Sequence, residues 1–151
     1  MYKKILVPLD GSETSKRGLE AAIAMAVAFK ATLRLVHVTS DFPVMLEMAG
    51  TMDFEKFGDG LHQFGKHLLE TTKAQVSEAG IEVTTQLRDI KSGRVADSIV
   101  DEAKAAGCDL IVIGTHGRRG FQHAILGSDA ERVIRESTVP VLVVRAVGAA
   151  D

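Results

Sequence analysis

The sequence predicts an α/β fold, an open five-stranded parallel sheet with helices on both faces. Three observations carry that prediction. Short apolar runs alternate with segments of helical period from one end of the protein to the other. Most of these runs are nearly continuous in apolar residues, as in strands covered on both faces. No two successive runs are joined by a hairpin turn, so each connection is a crossover, right-handed between parallel strands.

Ile5-Leu6-Val7-Pro8-Leu9 is the first strand, ended by Asp10-Gly11-Ser12. Ser12 can cap the first helix, with Glu13 in its first turn near the positive end of the helix dipole. Leu19, Ala22, Ile23, Ala26 and Val27 have the spacing of one helical face. Leu33 to Val38 is the second strand. Thr39 to Gly60 is irregular and contains Met45, Met48 and Met52; it reads as a loop tucked on the core, or as a lid or partner surface. Helical period returns at Leu61, Phe64, Leu68, Thr72 and Val76, with Gly80 as terminator. Ile81 to Leu87 alternates apolar with polar and is the third strand. Ser92 is the expected cap of a helix whose apolar face is Val95-Ala96, Ile99-Val100 and Ala103, ending at Gly107. Leu110-Ile111-Val112-Ile113 is the fourth strand. A glycine-rich segment leads to a helix around Ala130, Val133 and Ile134, and Pro140 to Val144 is the fifth strand.

The 151 residues are expected to form a single domain, 1–151. Eighteen Lys and Arg against twenty Asp and Glu leave a formal net charge of −2, unlike the basic excess of nucleic-acid binders. The single cysteine, Cys108, excludes an intramolecular disulfide framework and reads as an inert, half-buried thiol. No apolar run approaches the roughly 20 residues of a membrane span or the 7–15 or so of a signal core. A cytoplasmic protein without membrane or nucleic-acid partners is the expectation.

In open parallel sheets ligands sit beyond the carboxyl ends of the strands, where strand order reverses. Two such ends stand out. Asp10-Gly11-Ser12 follows the first strand; Gly114-Thr115-His116-Gly117-Arg118-Arg119-Gly120 follows the fourth, leading to Gly127-Ser128-Asp129 at the start of the last helix. Glycines admit close backbone approach, and amides at a helix start form an anion site. Structural roles compete at each position. Ser128-x-x-Glu131 also reads as a capping box, and Asp10 as a turn or cap residue.

The pattern Gly114-x2-Gly117-x9-Gly127-Ser128 after an apolar strand resembles the adenine-nucleotide motif of the universal stress protein family. The resemblance covers nearly the whole sequence, including Ile5 to Ser12, Leu35-Val36-His37-Val38, Glu131-Arg132-Val133-Ile134 and Pro140 to Val144. It implies strand order 3-2-1-4-5 and ATP as the ligand. It places Pro8 and Asp10 beside the adenosine, Asp10 near the ribose, and the Val38 main chain at the adenine edge. Gly114, Thr115, His116 and Gly117 would line ribose and phosphates, while Gly127, Ser128 and Asp129 would meet the phosphates through backbone N–H groups. It also implies a homodimer through Val139 to Val144, an apolar strand expected at a sheet edge. Asp129 departs from the family pattern, which often has an apolar residue there. Its carboxylate would repel a triphosphate or, with Mg²⁺ present, share the ion. The Gly114-to-Ser128 loop contains no second acid for that role, which favours repulsion.

Other chemistries lack their residues. His37, His62, His67, His116 and His123 include no i, i+4 pair and no companion cysteines, so zinc spacings fail. His37 reads as a packed or hydrogen-bonded histidine; His116 and His123 fall in the loop. A hydrolase elbow and a Walker lysine are absent. Three functions therefore compete: a nucleotide-binding regulatory or stress-response module, a slow ATP hydrolase or phosphotransfer protein, and an interaction module with an empty pocket.

Overall fold

Five parallel strands, β1 (Lys4–Pro8), β2 (Thr32–Ser40), β3 (Val83–Ile90), β4 (Leu110–Gly114) and β5 (Val141–Val144), form one sheet in the order β3-β2-β1-β4-β5. Four helices flank it: α1 (Glu13–Phe29), α2 (Phe54–Glu78), α3 (Val95–Ala105) and α4 (Ser128–Glu136). This computed structural model describes residues 1–40, 54–115 and 126–145. Among them no helix is long and apolar enough to cross a membrane.

Side-chain alternation along the strands divides the core between the two faces. Ile5, Val7, Leu33, Leu35, Leu110 and Val112 pack with Leu19, Ala22 and Ala26 of α1 and with Leu69 and Val76 of α2. Leu6, Val36, Ile111 and Ile113 pack on the other face with Ile99 and Val100 of α3 and with Ala130 and Val133 of α4. Both faces of β1 and β4 are thus covered. That accounts for their continuous apolar runs. Full burial of one large aliphatic residue stabilises the fold by about 1.5–3 kcal/mol.

Ser12 caps α1, its Oγ accepting from Ser15 N–H at 3.2 Å, as its position predicts. Gly80 and Gly107 end their helices with φ of +77° and +67°. Other boundaries differ from the sequence reading. α2 begins at Phe54 rather than Leu61, so the helix includes Gly58, Gly60 and Gly65, which propensity disfavours. Its packing against β2 and β3 overrides that cost. The N-cap of α3 is Arg94, with no side-chain cap bond, and not Ser92. Gly93, at φ +86°, turns the backbone between them. α4 is capped by Gly127, so the Ser128–Glu131 capping box does not form. β3 runs from Val83 to Ile90, displaced from the predicted Ile81 to Leu87.

Polar contacts join the layers. Glu102 of α3, 3% exposed, accepts from Arg34 Nε of β2 at 2.8 Å and from Arg88 Nε of β3 at 2.9 Å. Arg132 of α4 donates to Asp97 of α3 at 2.7 Å. Cys108 is buried rather than half-buried, and burial pushes its thiol up to about 11, away from the reactive thiolate.

Candidate functional site

The strand order reverses between β1 and its neighbours. β2 and β3 follow on one side, β4 and β5 on the other. The crevice at the carboxyl end of β1 is therefore the switch point of this sheet. Pro8, half-buried, is the last residue of β1 and pairs with Val36. Asp10 Oδ1 then accepts from Ser12 N–H at 2.8 Å, closing a turn through Gly11 at φ +83°. That is the turn role Asp10 allowed from sequence.

β2 outruns β1. Thr32 N–H donates to Lys3 O, and Val36 O accepts from Leu9 N–H, whereas Leu33 N–H donates to Glu82 O on the β3 side. Even-numbered residues of β2 thus direct their main-chain groups toward β1. β1 ends at Pro8, so the peptide groups of Val38 face the space past its end.

Across β4, Thr115 N–H donates to Val144 O at 2.9 Å, and Thr115 O accepts from Gly127 N–H at 2.7 Å. These bonds fix the start of α4. The first helical bond runs from Glu131 N–H to Gly127 O. Ser128, Asp129 and Ala130 therefore hold the amides that a helix start leaves without intrahelical partners. Gly127 does not offer its amide, which is committed to Thr115. Gly114 has a packing reason to be glycine, since a Cβ there would lie 2.7 Å from both atoms of the Thr14 carbonyl.

Asp129 is exposed overall. Its carboxyl is nevertheless pushed above the ordinary 3.8, by burial first and then by the charge of Asp10. Asp10, in the turn after β1, is thus an acid outside the Gly114-to-Ser128 loop whose charge Asp129 senses. His116, Gly117, His123 and the three loop methionines lie outside the described residues.

His37, read from sequence as packed or hydrogen-bonded, is 6% exposed, and its Nδ1 lies 2.6 Å from Leu9 O. Its ring meets Phe64 edge-on, centroids 5.8 Å apart. Two strand positions on, Thr39 is 8% exposed and its Oγ1 is buried without a hydrogen-bond partner among the described residues. Sequence reasoning assigned neither Thr39 nor Gly65 a role; neither breaks a periodic pattern. A groove of about 320 Å³ lies between α1 and α2, lined in part by Leu9, Leu19, Phe64 and Leu68. It includes Gly11 but neither Asp10 nor any residue of β4 or α4, so it is distinct from the switch-point crevice.

The family model described as Universal stress protein family matches residues 1–145. The protein is 36% identical over 146 residues to universal stress protein MJ0531 of Methanocaldococcus jannaschii, a match that spans 96% of its own length and 83% of the relative's. It is similar in structure to hypothetical protein MJ0577 of the same organism, with a TM-score of 0.85 and 31% identity over 99% of both proteins. It shares the fold of a universal stress protein from Archaeoglobus fulgidus solved in complex with dAMP, with a TM-score of 0.64, 24% identity and coverage of 95% and 98%.

Proposed function

This chain belongs to the universal stress protein family, and on that footing we propose that it binds an adenine nucleotide, ATP, as a regulatory or stress-response module. The observation that carries the reading is the crevice past the end of β1. By strand alternation the Val38 main chain is directed to the β1 side, the Asp10 turn follows β1, and the helix start with amides of Ser128, Asp129 and Ala130 follows β4. A planar base with donor and acceptor edges suits the first, ribose hydroxyls suit a carboxylate, and phosphates suit the third. The dAMP complex of the Archaeoglobus relative supports the ligand class.

In this reading Pro8 and Asp10 border the adenosine and the Val38 main chain reads adenine. Gly114 and Thr115, with His116 and Gly117, line ribose and phosphates, and the Ser128 and Asp129 amides hold phosphate oxygens. Gly127 shapes the loop rather than donating. Mg²⁺, if carried in by the phosphates, would have Asp10 and Asp129 as candidate carboxylate ligands. The described residues contain no group of three acid, histidine or cysteine ligands that would hold it alone. The working unit is one domain over 1–151, in the cytoplasm, paired with a second copy through Val139 to Val144.

Calorimetry tests the reading. ATP should bind to the wild type more tightly than GTP, and Asp10→Ala should weaken ATP about tenfold, near 1.4 kcal/mol. No heat with any adenine nucleotide at millimolar concentration would overturn it. Equal affinity for ATP and GTP would remove Val38 as the base reader.

A further inference from the structure

We propose that His37 is a positioning residue for the switch-point site: its Nδ1–H, donated to the Leu9 carbonyl, sets the turn that presents Asp10. A carbonyl oxygen only accepts, so the ring nitrogen 2.6 Å from Leu9 O must carry the hydrogen. A neutral ring is thereby held as the Nδ1–H tautomer. Leu9 N–H already donates to Val36 O at 2.8 Å. Both peptide groups of Leu9 are thus tied to β2, one through the backbone and one through the His37 imidazole. The imidazole extends the ladder one step past the end of β1.

The residues after Leu9 have little freedom. Asp10 is held to Ser12 N–H, and Ser12 is the cap of α1. Asp10 is therefore suspended between two fixed points, the Leu9 carbonyl and the start of a helix. α2 immobilises the ring in turn. A Cβ at Gly65 would lie 2.5 Å from His37 Cδ2, so the helix is notched where the imidazole enters. Phe64 lies edge-on to the ring, and its Cζ sits 3.2 Å from where a Cβ of Gly11 would be. One turn of α2 bears on both the histidine and the turn it holds. A glycine within a helix is disfavoured relative to alanine, and the notch explains its presence here.

The inference rests on the nucleotide reading only for what Asp10 does. Its test therefore has a ligand-free arm. The ¹⁵N shifts of the wild-type imidazole report which nitrogen is protonated, and a neutral ring carrying its proton on Nε2 would overturn the proposal. Asparagine places an amide N–H as many bonds from Cα as Nδ1, whereas leucine fills volume without a donor. His37→Leu should lower hydrogen-exchange protection of the Ser12 amide about tenfold, and His37→Asn should restore most of it. Equal Ser12 protection in a folded His37→Leu protein would refute the idea.

The binding arm is a double-mutant cycle with Asp10→Ala. His37→Leu should weaken ATP about tenfold in the wild-type background and leave it unchanged where Asp10 is alanine. Additive losses would mean that His37 acts elsewhere, against the proposal. If the wild type binds no adenine nucleotide, the proposed function fails alone, and the imidazole shifts and Ser12 exchange still decide the role of His37.

Discussion

Asp129 carries a carboxyl that the fold makes harder to ionise, through burial and the charge of Asp10. An acid whose folded pKa is raised binds its proton more tightly in the native state than in the unfolded one. Its contribution is therefore most favourable when protonated and declines as pH rises above 3.8 through the folded value. Asp129→Asn should accordingly gain stability on the wild type between pH 3 and pH 7, by no more than about 0.5 kcal/mol for an exposed residue. Urea midpoints across that range check it; a relative gain by the wild type as pH rises would refute the sign. The same substitution should tighten metal-free ATP about fivefold if the charge repels phosphate, and should weaken Mg-ATP if the carboxylate holds the ion. Calorimetry with and without Mg²⁺ separates these outcomes. The proximity of Asp10 was hidden in the sequence because the two acids lie on different elements, and only the crossing of β1 beside β4 unites them.

Elements meet closely where side chains are missing. α1 lies against the end of β4, and the position of a Gly114 Cβ is filled by the Thr14 backbone at 2.7 Å. Gly114→Ala must displace backbone and should cost about 1–3 kcal/mol. Gly18 faces the same strand with more room, its Cβ position 3.5 Å from Gly114 N. Gly18→Ala should be neutral or gain up to about 1 kcal/mol from helix propensity. Chemical denaturation of the two variants checks the contrast, and a stable Gly114→Ala protein would mean that the contact yields. Glu102 joins α3 to β2 and β3 through Arg34 and Arg88. Glu102→Ala would leave both guanidiniums without their carboxylate and should cost about 3–5 kcal/mol. A loss below about 1 kcal/mol would show that water replaces it.

At the scale of the molecule, β5 lies at the edge of the sheet, as its place in the sequence predicts. It is only four residues long, and Leu142 is 38% exposed. Its outer row of N–H and C=O groups has no neighbouring strand within the sheet, a template for pairing with a second copy. Twofold pairing of the same edge closes on itself and does not polymerise. Sedimentation should therefore find a dimer at tens of micromolar, and Leu142→Lys should give a folded monomer. A monomeric wild type, or a dimer that survives the lysine, would count against this edge as the interface.

The α/β class, the five strands and the fourfold alternation of helices were legible because each element is written locally. Continuous apolar runs mark strands covered on both faces, and Ser12, Gly80 and Gly107 act on their immediate neighbours. Boundaries were less legible where local signals conflict. Gly58 and Gly60 obscure the first turns of α2, and Ser92 offers a cap that Gly93 turns away from the helix. The candidate site was legible as a set of strand ends, but the structure divides structural roles among its residues differently. Gly127 commits its amide to Thr115, Gly114 makes room for Thr14, and the donors left at the start of α4 belong to Ser128, Asp129 and Ala130. Alone, the sequence determined what depends on near neighbours: the elements, their order and the residue types at their ends. The tertiary structure decided what depends on residues distant in sequence, such as the bond of His37 to Leu9 and the Thr14 backbone against Gly114. Those contacts arise from the parallel crossover of strands, and no local periodicity records them.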